Sequence, residues 1–248
     1  MSFRAEDQNQ ARAEAEKRIE TCLREGGTVL DLGNFGLEEL PERIRSLTEL
    51  EELRIASNQI PQLPDWLQEL RELREIQWWG NGTITLPDWL ATLPHLQTLS
   101  IGIRNTVHNL AILGKLRSLR WLDLGRMANG EVPESLRGTS HLRELFLSGN
   151  GLNSLPDWSG DWTGLEILVL DNNALTTLPP SFSKMTNLRT LSLRKNRLTT
   201  LPRALLALDK LEKLMLNGNP LTDLPEELIA SHDAQRILAF YRGTGEQA

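Results

Sequence analysis

The chain is poor in the residues on which most enzyme and metal chemistries depend. It carries one cysteine, Cys22, which excludes an intramolecular disulfide and suits a reducing compartment. A cysteine nucleophile would want a general base beside it, and none is evident near Cys22. The four histidines, His95, His108, His141 and His232, are scattered, with neither an H-x-x-x-H pair nor a cysteine at metal-ligand spacing. No G-x-x-x-x-G-K-[ST] phosphate loop is present, and Gly80-Asn81-Gly82 does not supply one. Basic excess is also lacking: 27 Lys and Arg face 33 Asp and Glu, for a net charge of −6. That balance argues against nucleic acid or an anionic membrane as the main partner. No apolar window approaches the length of a membrane span, and the opening MSFRAEDQNQ is not a Sec-type signal. These absences lead to the expectation of a cytoplasmic, non-enzymatic protein with no cofactor and no metal. Delivery by a route that needs no cleavable signal is compatible with them.

What the chain does have is a period. The string L-x-x-L-x-L-x-x-N-x-L-x-x-L-P begins at Leu50 and returns at Leu142, Leu165, Leu188 and Leu211, with weaker copies at Leu73, Leu96 and Leu119 and a leading copy at Gly27. Every start is 23 residues after the last. Within L-x-L the apolar residues alternate with polar ones, which is strand periodicity with one face buried. A single short strand cannot bury that face alone, so neighbouring repeats must stack in a parallel sheet with their return segments covering the back. The returns read Leu-Pro-x-x-Leu-x-x-Leu, as in LPDWLQEL at 63–70 and LPRALLAL at 201–208. Proline suits the first turn of a short helix there. Asn58, Asn81, Asn150, Asn173, Asn196 and Asn219 recur at the strand's end, where an amide that both donates and accepts can satisfy turn backbone inside the stack.

With these residues in view the sequence resembles the leucine-rich repeat family over residues 27–230. The expected fold is α/β: a leucine-rich repeat solenoid, a curved horseshoe with a parallel concave β-sheet, short helices on the convex side and helical caps at both ends. The expected organisation is a capping helix in 1–26, nine repeats in 27–230, and a second capping helix with its tail in 231–248. The first helix places Ala11, Ala15, Ile19 and Leu23 on one face and ends at Gly26-Gly27. In the last, Asp233 can cap a helix carrying Ile237, Leu238 and Phe240, stopped at Gly243. A solenoid with both ends covered is expected to be one complete domain.

The stretch EIQWWGNG at 75–82 sets two tryptophans side by side. Counted from each repeat's first position as zero, offsets +3 and +5 point inward while +2, +4 and +6 point outward. Trp78 then replaces a core leucine, and Trp79 stands on the concave face. The same count turns Trp121, Phe146, Ile167, Val169 and Met215 outward, with Arg54, Asp123, Arg126, Asp171, Arg194 and Lys195 around them. Central aromatic clusters ringed by polar groups of both signs are typical of protein-binding surfaces. The alternative is that these side chains lie along the sheet and stabilise it by cross-strand contacts. Trp66, Trp89, Trp158 and Trp162, on return segments, are expected to pack between coils.

Two repeats depart from the pattern. In SIGIRNTVHNLAIL, Arg104 takes the asparagine position and Asn109-Leu110 replaces Leu-Pro; in the next repeat Met127 takes the asparagine position before ANGEVPESL. Such departures mark either a ligand contact or drift in the turn. The opening AEKRIETCLREGGTVLDLGNFGLEELPERIRSLTEL and the closing GNPLTDLPEELIASHDAQRILAFYRG resemble the repeat regions of bacterial Roco-type GTPases and related multidomain signalling proteins. The resemblance implies repeats that recognise partners or regulate an attached domain. The expected function is protein–protein recognition on the concave face by a monomer, with a homodimer as an alternative. The regulatory arm of a GTPase-type signalling protein and an effector delivered into a host cell are the other readings.

Overall fold

The computed structural model describes residues 5–127 and 130–245. The chain forms two compact units, 1–129 and 130–248, and the division falls in the second of the two irregular repeats.

The first unit opens with α1 (Ala5–Glu25), whose Ala15, Ile19 and Cys22 are buried. Gly26, at φ +62°, ends the helix, and the Gly27 N–H reaches back to the Cys22 carbonyl at 2.9 Å. A left-handed residue of this kind closes a helix most cheaply when it is glycine. The strands that follow are β1 (Val29–Asp31), β2 (Glu52–Arg54), β3 (Glu75–Gln77), β4 (Thr83–Thr85), β5 (Thr98–Ser100), β6 (Thr106–His108) and β7 (Trp121–Asp123). β1, β2, β3, β5 and β7 pair in parallel, and Leu30, Leu53, Ile76, Leu99 and Leu122 share one row of the register. All five are buried. Each step across the sheet is one repeat, so the 23-residue period is the pitch of the coil.

The second unit repeats the arrangement with β8 (Glu144–Phe146), β9 (Ile167–Val169), β10 (Thr190–Ser192) and β11 (Lys213–Met215), again parallel and in register. It continues into α2 (Glu226–Ser231) and α3 (Ala234–Gly245). The Asp233 carboxylate accepts the Arg236 N–H at 3.1 Å, and Ile237 and Leu238 are fully buried. Two details differ from expectation. The helix runs through Gly243 to Gly245, and Phe240 faces solvent, 36% exposed. Glycine lowers helix propensity without forbidding the helix, and a tethered final turn tolerates it.

The return segments are 3-10 turns of three to six residues, such as Asp65–Glu69 and Arg203–Ala207. Proline stands just before the turn, in extended conformation, where a first-turn position was expected: Pro64 has φ −68° and ψ 149°. Its carbonyl accepts the Leu67 N–H at 3.0 Å, so it opens the turn while its missing N–H costs nothing. A five-residue segment is too short for an α-helix to be worth nucleating, and 3-10 geometry spans more length per residue.

The asparagines form the expected ladder. Asn58 Nδ2 donates to the carbonyls of Leu32, in the preceding coil, at 2.8 Å and of Ile55, in its own, at 3.0 Å. Its Oδ1 accepts the Leu37 N–H at 3.0 Å. Asn173 repeats this with Leu147, Leu170 and Leu152, and Asn219 with Leu193, Leu216 and Leu198. Each amide thus joins two coils and satisfies turn backbone, in the buried interior at Asn58 and Asn173 and part-buried at Asn219.

Repeat 4 corrects the sequence reading. The buried ladder position is filled by Asn105, not Arg104: Asn105 Nδ2 donates to Trp78 and Ile101 carbonyls at 2.9 and 3.0 Å, and its Oδ1 accepts the Asn81 N–H at 2.7 Å. Arg104 is exposed at φ +65°. The extra residue comes from a β-bulge, in which the N–H groups of Ile101 and Gly102 both meet the Asp123 carbonyl at 3.1 Å. The turn after Asn105 is one residue shorter than after Asn81, so β4 and β6 still pair Thr83 with Thr106 and the period survives. Asn109, one period after Leu86, opens the next 3-10 turn at φ +59°, a conformation closed to the proline that opens the preceding one. Met127 does occupy the asparagine position of repeat 5, buried at 5% exposure.

Candidate functional surface

The tryptophan pair divides as its register requires. Trp78 is fully buried and donates its indole N–H to the Ile60 carbonyl at 2.9 Å. Trp79 faces out of the sheet, half-buried. It edges a hollow of about 460 Å³ whose other lining residues are Glu75, Gln77, Thr98, Ser100, Trp121 and Asp123. The hollow lies over three adjacent strands of the first unit. Its floor is the middle strand, β5, where Thr98 and Ser100 are small; the flanks are β3 and β7, whose outward side chains are larger. Register sets Glu75 and Trp121 on either side of Thr98, and Gln77 and Asp123 on either side of Ser100.

Polar side chains on this face are held in place. Gln77 Nε2 donates to Glu75 Oε1 at 2.7 Å, and Arg54 Nε donates to Glu52 Oε1 at 2.5 Å. Asp123 accepts the Gly125 N–H at 2.8 Å and the Ser100 hydroxyl at 3.3 Å. Burial raises the Asp123 carboxyl from its ordinary value, and those two hydrogen bonds offset part of the rise. Arg126, at φ +55°, is exposed beyond β7.

In the second unit Phe146, Val169 and Met215 share one outward row with Ser192, while Ile167 lies in the neighbouring row between Glu144 and Thr190. Asp171 has a structural duty: it accepts the Ser192 hydroxyl and, at 2.9 Å, the Arg194 N–H of the next coil. Arg194 is half-buried and Lys195 exposed.

None of the six apolar residues expected on the concave face, Trp79, Trp121, Phe146, Ile167, Val169 and Met215, is open to solvent; all are half-buried. The large hydrophobic side chains that are exposed, among the described residues, are Val29 and Phe240. Four lining residues of the hollow, Glu75, Gln77, Thr98 and Ser100, were not singled out from the sequence. They sit at the same +2 and +4 offsets as Trp121 and Asp123, so the register already placed them there. Trp162 is fully buried, bonded to the Leu136 carbonyl at 2.9 Å and edge-on to Trp158. Among the described residues, no cluster of three or more His, Cys, Asp or Glu could hold a metal ion, and no helix is long and apolar enough to cross a membrane.

The leucine-rich repeat family profiles match residues 141–162 and 163–221. Together with the parallel, in-register coils and the asparagine ladder, these matches identify the repeat type. The chain folds as a leucine-rich repeat solenoid, with the family's repeats in residues 141–221. It is 47% identical over 130 residues to the leucine-rich repeat and IQ domain-containing protein 4 of Mus musculus, over 52% of this chain. The repeat protein spans 22% of that relative's length. Among solved structures it is similar to a leucine-rich repeat protein of Leptospira interrogans, with a TM-score of 0.66 at 25% identity over 84% of this chain and 66% of that one. It is similar also to Toll in the Toll–Spatzle complex of Drosophila, with a TM-score of 0.64 at 25% identity over 83% of this chain and 28% of that one. Its fold is typical of protein–protein interaction modules. The Roco-type likeness concerns a subfamily on which these relatives do not bear.

Proposed function

We propose that this repeat protein is a non-enzymatic, cytoplasmic recognition module that binds a protein partner, as a monomer, on the outward face of its strand sheets. The reading rests on one observation above the rest: two indoles, Trp79 and Trp121, are turned outward onto a single hollow of the sheet. Outward positions of a stable parallel sheet need no tryptophan for folding, whereas central, half-desolvated indoles are the commonest anchors of protein interfaces. The Drosophila neighbour, solved in complex with Spatzle, lends support from a relative of the same fold.

The test compares affinity capture from the source organism by the native chain and by the Trp79→Ala/Trp121→Ala variant, with circular dichroism to confirm that both fold. Loss of the captured protein, or a fall of tenfold or more in its affinity, is expected for the variant. Equal capture by both chains would overturn the assignment. A second reading, that the repeats form the regulatory arm of a multidomain signalling protein, is favoured by the mouse relative, which joins repeats to an IQ domain over a much longer chain. Reading the source genome beyond the codon for Ala248 decides it.

A further inference from the structure

The hollow between β3 and β7 has a chemistry more specific than a general protein surface. Its lining holds two indoles and two carboxylates and no basic side chain. Arg54, on the adjoining strand β2, donates to Glu52 at 2.5 Å and lies within electrostatic reach of Glu75 without lining the hollow. In the row at Thr98 the flanks are the Glu75 carboxylate and the Trp121 indole; in the row at Ser100 one flank is the Asp123 carboxylate; Trp79 stands at the end of the Glu75 and Gln77 side. Two strand spacings separate β3 from β7, about 10 Å. A cation resting on Thr98 would therefore be roughly 5 Å from each flank, inside the range at which a ring face attracts a positive charge. Glu75 uses one oxygen for Gln77, and its other oxygen remains for a ligand. Asp123 uses each oxygen once, leaving an acceptor position on both.

From this arrangement we infer that the hollow receives an arginine side chain presented by the protein partner. This rests on the docking reading above and names the chemistry that the partner must carry. A guanidinium is favoured over an ammonium because it is planar, stacks on an indole, is more weakly hydrated and donates a fork of N–H groups to carboxylates. The stem would cross the Thr98 and Ser100 floor while the head lies between Trp121 and Glu75. The net charge of −6 favours a basic partner in the same sense.

The test uses acetyl-Gly-Arg-Gly-amide as the probe and, as its uncharged isostere, the same peptide with citrulline. Indole N–H resonances of the isotopically labelled full chain report binding; there are seven tryptophans, assigned one by one by substitution. Saturable shifts of the Trp79 and Trp121 signals are expected with the arginine peptide. Trp78, bonded to Ile60 in the core, should stay fixed. The citrulline peptide and the Glu75→Gln/Asp123→Asn variant should each weaken binding at least tenfold. No shift with arginine, or equal shifts with citrulline, would overturn the inference. If partner capture depends on Trp79 and Trp121 while the arginine peptide leaves them unmoved, docking stands and the cation site falls. If the peptide binds but capture ignores both tryptophans, the hollow accepts a guanidinium that the partner does not present to it, and the inference falls together with the docking surface.

Discussion

The clearest stability test sets Arg104 against Asn105, because sequence register and structure assign the ladder position to different residues. In Asn105→Ala three buried backbone groups lose their partner: the Trp78 and Ile101 carbonyls and the Asn81 N–H, now bonded at 2.9, 3.0 and 2.7 Å. An orphaned buried group costs about 1–3 kcal/mol. Water entering the vacated space would recover some of this, so a net loss of about 4 kcal/mol is expected, a large share of the roughly 5–15 kcal/mol that holds a domain together. Arg104→Ala removes an exposed side chain from a turn whose left-handed backbone penalty alanine also bears, and should fall within about 0.5 kcal/mol of the native chain. Urea unfolding followed by tryptophan fluorescence and by circular dichroism provides the assay. With a denaturant slope of about 3 kcal/mol per molar, the Asn105 variant should unfold roughly 1 M earlier. Exchanging the two residues restores asparagine to the repeat's usual offset and buries arginine beside it, so the swap should be at least as damaging as Asn105→Ala. A harmless Asn105→Ala paired with a damaging Arg104→Ala, or a neutral swap, would refute the bulged register.

Two further outcomes follow from the same region. At Gly102 an added Cβ would lie 2.3 Å from the Gly125 carbonyl oxygen and 2.7 Å from its nitrogen; Gly102→Ala should therefore cost about 3 kcal/mol by forcing two coils apart, read as a fall in unfolding midpoint, and a neutral result would show that the bulge can open freely. Burial raises the Asp123 carboxyl above its unfolded value, so the folded chain binds that proton more tightly; its stabilising effect is complete below the unfolded value and lost as pH rises through the folded one. Thermal scans should accordingly show Asp123→Asn gaining on the native chain from acid toward neutral pH, and a variant that loses ground over that window would contradict the burial.

The regular coils were legible because one physical demand, a strand too short to bury its own face, is met nine times by the same spacing. Leu53, Ile76 and Leu99 had to align if the chain stacked at all, and the outward side of Trp79 followed from the inward side of Trp78. Repeat 4 was misread for an equally physical reason. A fixed period of 23 constrains the strand-to-strand distance and says nothing of where, within one coil, a residue is gained and another lost. Gly102 is gained before the asparagine and one turn residue is dropped after it, so the total conceals the shift. The signal available was chemical: an arginine cannot serve a buried position that needs both donor and acceptor, and a qualified asparagine stood next to it.

The hollow extends the same lesson from backbone to surface. Reading outward positions one at a time picked out the large and the charged and passed over Thr98 and Ser100. Those small residues are what make a concavity, since a floor is defined by what its side chains do not fill. The row containing Glu75, Thr98 and Trp121 becomes a site only when three repeats are laid side by side. In a protein built of stacked coils, binding chemistry is therefore written across the period, at matching offsets of neighbouring repeats, and a motif search running along the chain has no access to it.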